Sequence, residues 1–156
     1  MLQHILCSFI GTVAFSMLFN VHAKYYFYCG LTGTAGWVLY CLLVPYVSPV
    51  LATFLGTVLV VALSRIFAVW RKCPITVFLI SGIFPLIPGT YVYYTAYYFV
   101  MNDFWMAAEK GIMALKLAFA LVLGIVFMVS VPKQFFSMRY WKIRKMNKKK
   151  NEVVSQ

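Results

Sequence analysis

Five apolar stretches follow one another along this chain, each near the length that crosses a bilayer, with only short polar links between them. They cover 2–19, 25–44, 49–64, 75–101 and 112–131. A helix needs about 20 apolar residues to cross a hydrocarbon layer of ~30 Å. In lipid every backbone N–H and C=O must be satisfied internally, so apolar runs of this length are read as helices. The expectation is an all-α integral membrane bundle of five transmembrane helices over residues 1–132, followed by a basic cytoplasmic tail over 133–156. Composition agrees: 63% of residues are hydrophobic and 11% charged, against about 45–50% and about 25% in soluble domains.

The first stretch has a second reading. "VHA" at 21–23 satisfies the small-residue rule for signal-peptidase cleavage. Against it, "MLQH" supplies no Lys or Arg for a positively charged leader, and the run of about 18 residues is long for a leader's apolar segment. A retained span is the favoured reading.

Charge sets the expected orientation. Fourteen Lys and Arg stand against three acids, giving a formal net charge of +11. Eight of the fourteen fall in 133–156. Placing that tail inside also puts Lys24, Arg65, Arg71 and Lys72 inside, twelve of the fourteen in all. By the positive-inside rule the amino terminus lies outside and the carboxyl terminus in the cytoplasm of a multi-pass plasma-membrane protein. The tail "MRYWKIRKMNKKK" mixes basic and aromatic residues as nucleic-acid binders do. Directly after an apolar span, it reads instead as an anchor on anionic lipid, with no nucleic-acid partner.

Enzyme chemistry is disfavoured. There is no HExxH, no GxSxG with a partnering His, and no aspartate pair within a span. Cys7, Cys29, Cys41 and Cys73 stand apart without metal-ligand spacing, so neither a metal nor another cofactor is expected. His4 and His22 lie at span ends, where solvation explains them. Arg65, closing the third stretch, reads as a snorkelling anchor, as does Lys116 about one turn inside the fifth. Asp103 and Glu109 are the acids outside the tail, hence the candidates for proton coupling, with solvated loop charges as the plainer alternative.

Small residues say more. In "CGLTGTAGW", Gly30, Gly33 and Gly36 cover a sector of about 120° on a helix at 100° per residue. Such a face suits close helix packing or a polar path, and Thr32 and Thr34 keep both readings open. Ala52 with Gly56, and Ala120 with Gly124, are further pairs of small residues that favour packing.

"FPLIPGTYVYY" at 84–94 interrupts the fourth stretch. Pro85 and Pro88 donate no backbone hydrogen bond, and each frees a carbonyl one turn earlier. The stretch from Pro74 to Met101 would be about 42 Å as a straight helix, too long for one untilted crossing. Gly89 lies about 22 Å from Pro74 by the same rise, past the midplane. Broken helices at such depth are the best sequence pointer to a transporter's binding site. The amides after Gly89 would attract a carboxylate. A proline kink is the alternative. Tyr91, Tyr93, Tyr94, Tyr97 and Tyr98 read as an interfacial belt, with Tyr91 and Tyr94 close enough to offer hydroxyls to a substrate. The expected substrate-binding set is therefore Pro85, Pro88, Gly89, Tyr91, Tyr94, Gly30, Gly33 and Gly36.

"FN" at 19–20, "GLTGTAGWVLY" at 30–40, "CPITVFLISGIFPLIPGTYVYY" at 73–94 and "AEKGIMALKLAFALVLGIV" at 108–126 occur together in order. In them the chain resembles the carboxyl-terminal membrane domain of the threonine/serine exporter family, as a separate small subunit. The Pro85–Gly89 element followed by a tyrosine is the most specific part, and His22 stands where members commonly carry proline. The resemblance implies export of small amino acids such as threonine and serine, or in the split form of dicarboxylates such as succinate. It also implies a complementary subunit carrying the amino-terminal exporter domain. The absence of an internal repeat and the odd number of spans likewise suggest half of a transporter. The expected function is thus one membrane subunit of a two-component exporter driven by the proton-motive force. The alternative is a non-transporting membrane scaffold that binds a partner or anionic lipid.

Overall fold

The computed structural model describes residues 2–131, and the basic tail at 133–156 lies outside the described residues. Six α-helices follow in order: α1 (Leu2–Leu18), α2 (Tyr26–Leu43), α3 (Pro49–Arg71), α4 (Thr76–Ile83), α5 (Gly89–Val100) and α6 (Phe104–Ser130). Single 3-10 turns at Ala23–Tyr25 and Phe84–Leu86 lead into α2 and out of α4. Among the described residues there is no strand, in accord with the all-α expectation.

Local chemistry explains the boundaries. Asn20, Lys72 and Asn102 take the left-handed conformation just past α1, α3 and α5 (φ 54°, 54° and 60°), the usual helix stop, in which Asn is commonest after Gly. The Val21 and Cys73 amides return to the Ser16 and Ala68 carbonyls at 3.0 and 3.1 Å. α3 opens on Ser48, whose Oγ accepts from the Leu51 amide, with Pro49 in the first turn. α6 opens on Asp103, whose carboxylate accepts from the Met106 amide at 3.1 Å.

Two boundaries correct the sequence reading. The third helix continues past Arg65 to Arg71, and the fifth apolar helix begins at Phe104 rather than 112. Of the five expected spans, length and apolarity support three or four. Three helical stretches, Ala23–Leu43, Pro49–Arg71 and Phe104–Ser130, are long and apolar enough to cross a membrane, and the bent pair Thr76–Leu86 with Gly89–Val100 makes a fourth. α1, with 17 residues, is about 25 Å long and falls short of the ~30 Å layer.

Glycines set the packing. A Cβ on Gly30 would lie 2.6 Å from the Phe9 ring, and one on Gly33 would lie 2.4 Å from Thr12 Oγ1, so α1 closes on α2 there. α2 and α3 run antiparallel, with Gly36 against Gly56 and Val60, and Tyr28 against Phe67. α4 enters beside both at Gly82, which faces Thr32 and Val60. α3 and α6 run parallel in one register, with Thr57 against Gly124 and Arg65 against Val129 and Val131. The small residues on α3 and α6 thus act in packing, as expected.

That register puts Pro49 level with about residue 116. The first turns of α6, paired with α5 through Thr95 and Gly111, therefore continue about 18 Å beyond the start of α3. α5 has no buried residue, and Tyr93, Phe99 and Trp105 on this hairpin are exposed.

Candidate functional site

The break in the fourth stretch is real and sharply defined. α4 ends at Ile83, and α5 restarts at Gly89 with its axis turned by 49°. Between them the Ile87 amide donates to the Phe84 carbonyl at 3.2 Å and the Gly89 amide to the Ile87 carbonyl at 2.7 Å. Proline at 85 and 88 removes the two donors that a continuous helix would need. The first helical bond of α5 is Val92 N to the Pro88 carbonyl at 3.2 Å. The preceding amides of Thr90 and Tyr91 have no partner within the helix, and Pro88 offers no side-chain cap.

Two side chains pin the break to the bundle. Leu86 is 5% exposed. It fills the space left where Gly36 and Gly56 meet: Cβ atoms built on those glycines would lie 3.5 and 3.4 Å from its methyl groups. Phe84 stacks on Phe15 of α1, with centroids 3.5 Å apart and planes 25° apart. The glycines therefore position the break by letting helices and Leu86 approach.

A cavity of about 110 Å³ opens at the start of α5, walled by Pro85, Pro88, Thr90 and Tyr91 from the break and by Trp37, Tyr40 and Thr53 from α2 and α3. At ~30 Å³ per water molecule it has room for a carboxylate group and the start of its carbon chain. Thr53 sits one turn into α3 and Tyr40 one turn before the end of α2, so the cavity lies in the half of the bundle opposite Arg65.

Of the expected binding residues, Pro85, Pro88 and Tyr91 meet here. Gly89 lies at the start of α5, where an added Cβ would meet nothing within 4 Å. Tyr94 is 43% exposed and stacks on Tyr98 away from the cavity, centroids 6.2 Å apart. Gly30 and Gly33 face α1, and Gly36 faces α3 and Leu86. Asp103 caps α6, and Glu109 pairs with Lys110 at 2.8 Å on the surface.

Of the ionisable residues outside that set, Arg65 is 7% exposed and ties α3 to the end of α6. Lys116 stands three turns into α6, not one. It shares a surface cleft with Tyr91, Glu109 and Lys110. Tyr91 thus borders both this cleft and the break cavity.

Sequence reasoning did not single out Trp37, Leu86 or the hydroxyl stripe Ser8, Thr12 and Ser16. The stripe repeats at four-residue spacing on α1, and all three members are buried. Among the described residues, no group of three or more His, Cys, Asp or Glu could hold a metal ion.

No curated protein and no solved structure matches the chain. The family model described as "Threonine/Serine exporter, ThrE" matches residues 4–131, the whole of the helical bundle apart from its first residues. The chain is a membrane protein of the threonine/serine exporter family, a transporter rather than an enzyme.

Proposed function

We propose that this chain is one subunit of a two-component exporter and that its substrate carboxylate binds at the start of α5. The observation that carries the reading is the uncapped amino-terminal turn of α5 opening into the cavity of Trp37, Tyr40, Thr53 and Tyr91. Helix amino termini carry partial positive charge and unpaired N–H groups, which bind carboxylates. Within a membrane such backbone is tolerated where it lines a cavity.

The substrates are threonine and serine, with dicarboxylates as a second class. Tyr91 favours that second class because it joins the cavity to the cleft of Lys110 and Lys116, where another carboxylate finds a cation. Proton-motive force drives export, with Asp103 and Glu109 as the carboxylates available to carry a proton among the described residues. The complementary subunit supplies the amino-terminal exporter domain. The exposed hairpin of α5 and α6, with no buried residue on α5, gives that subunit an apolar face to meet.

The topology proposed is five crossings of the plasma membrane, amino terminus outside. α1 seats Ser8, Thr12 and Ser16 against the bundle and turns Leu6, Ile10 and Met17 outward, which suits a fifth, shorter crossing. Lys24, Arg71 and Lys72 lie at the end where α2 begins and α3 finishes, the cytoplasmic end under the positive-inside rule.

The test is efflux of labelled threonine, serine and succinate from cells expressing the chain with and without its partner. Export of at least one that depends on both subunits is expected; unchanged efflux of all three overturns the reading. Gly89→Leu sets a large side chain at the first turn of α5, beside the amides assigned to the substrate carboxylate, so it is expected to abolish export while the protein still inserts. Retained export in that variant removes the site.

A further inference from the structure

We propose that a second solute site lies on the α1 side of the break, and that Ser8 there reads a hydroxyl on the substrate's side chain. The choice of ligand rests on the exporter reading above; the site itself rests on the geometry of α1.

Ten hydroxyls of this bundle, buried and exposed alike, follow one pattern. Thr12, Ser16, Thr32, Thr34, Thr53, Thr57, Ser64, Ser81, Thr95 and Ser130 each donate to the carbonyl four residues back on their own helix. That bond is the standard way for a Ser or Thr within a helix to satisfy itself. Ser8 departs from it. Its side chain is buried at 9% exposure, and its Oγ has no hydrogen-bond partner. Native structures leave few buried polar atoms unpaired, and each calls for an explanation.

Ser8 borders a cavity of about 290 Å³, large enough for a small amino acid. Its wall on α1 runs from His4 past Ser8 to Gly11, where an added Cβ would meet nothing within 4 Å. Its other wall is Trp37, Phe84 and Pro85. Trp37 and Pro85 also wall the break cavity, so the two spaces lie on either side of the same pair of residues. The wall sets the unpartnered Ser8 hydroxyl beside His4, Cys7 and Thr12, whose own hydroxyl is already bonded to the Ser8 carbonyl, and among the rings of Phe15, Trp37, Phe84 and Pro85. It suits a small amino acid that presents a side-chain hydroxyl to Ser8 while its carbon chain rests on the rings. A site built to hydrogen-bond a substrate hydroxyl discriminates strongly against the analogue that lacks it.

Cys7 provides a native reporter, since it borders the same cavity and is exposed. In membranes holding the full chain, with Cys41 and Cys73 replaced by alanine and Cys29 buried, the rate of Cys7 alkylation by N-ethylmaleimide is measured against added L-threonine. L-2-Aminobutyrate, which is threonine with its side-chain hydroxyl replaced by hydrogen, serves as the hydroxyl-free comparison. Threonine is expected to slow alkylation at a concentration about tenfold lower than 2-aminobutyrate does. With each rate taken relative to the same variant without ligand, Ser8→Ala is expected to erase that difference and Ser8→Thr to keep it. Equal protection by both amino acids in the unmodified site, or protection by neither, overturns the proposal. Alkylation is read without transport, so an export failure in Gly89→Leu with Cys7 protection intact separates the fate of the break site from that of this one.

Discussion

Arg65 on α3 reaches across to α6 and donates to the Val129 carbonyl at 2.8 Å and to the Val131 carbonyl beyond it. The last carbonyls of a helix have no intrahelical donors, so one guanidinium satisfies the end of α6 and sets the register of two parallel helices. Arg65→Ala is expected to destabilise the bundle by about 1.5–3 kcal/mol, the range for hydrogen bonds to a charged group. Arg65→Lys should recover part of this, because one ammonium cannot reproduce the planar fork. Thermal unfolding of the detergent-solubilised protein reads both, and equal stability of Arg65→Ala and the parent would remove this role.

A second prediction concerns Gly36. A Cβ there would lie 2.3 Å from the Val60 methyl and 3.5 Å from both the Gly56 carbonyl and Leu86. Gly36→Ala must therefore separate α2 from α3 or lift Leu86, and overpacking of this kind ordinarily destabilises by about 1–3 kcal/mol. Gly89→Ala, where the added methyl meets nothing within 4 Å, should leave unfolding unchanged. Equal effects of the two substitutions on the unfolding midpoint would contradict the packing described.

What the sequence disclosed follows from how local each signal is. Pro85, Pro88 and Gly89 act on their own backbone, so the position of the break was legible. The glycine sector of α2 was equally plain, but its neighbours Phe9, Thr12 and Val60 come from elsewhere in the chain. Ser8, Thr12 and Ser16 look alike in sequence, and only the assembled bundle shows that Ser8 alone of the three leaves its hydroxyl unpaired. The start of α6 was missed because Asp103, Glu109 and Lys110 make its first turns read as a polar link. Asp103 is in fact the cap that begins the helix.

Asp103 permits a substitution that separates its two possible duties. Asp103→Ala loses the acceptor for the Met106 amide, and loss of such a cap costs about 1 kcal/mol. Asp103→Asn keeps an acceptor there and removes the titrating carboxylate. If proton coupling runs through this residue, the asparagine variant should unfold like the parent yet lose the dependence of export on a pH gradient. Export that still follows the gradient in Asp103→Asn would confine the residue to capping and leave Glu109→Gln as the remaining test.

Lys116 separates the two substrate classes. It shares a cleft with Tyr91, and Tyr91 also borders the cavity at the start of α5. A substrate held by one carboxylate at the α5 amides can reach the Lys116 ammonium only if it carries a second. Lys116→Gln should therefore leave threonine export near its original level. Succinate export should lose about tenfold in apparent affinity, the ~1.4 kcal/mol at the lower end for hydrogen bonds to charged groups. The measurement is the concentration dependence of efflux for both solutes in the same cells. Parallel losses for threonine and succinate would place Lys116 in the fold or the general field of the protein, and no loss for succinate would exclude the cleft from its path.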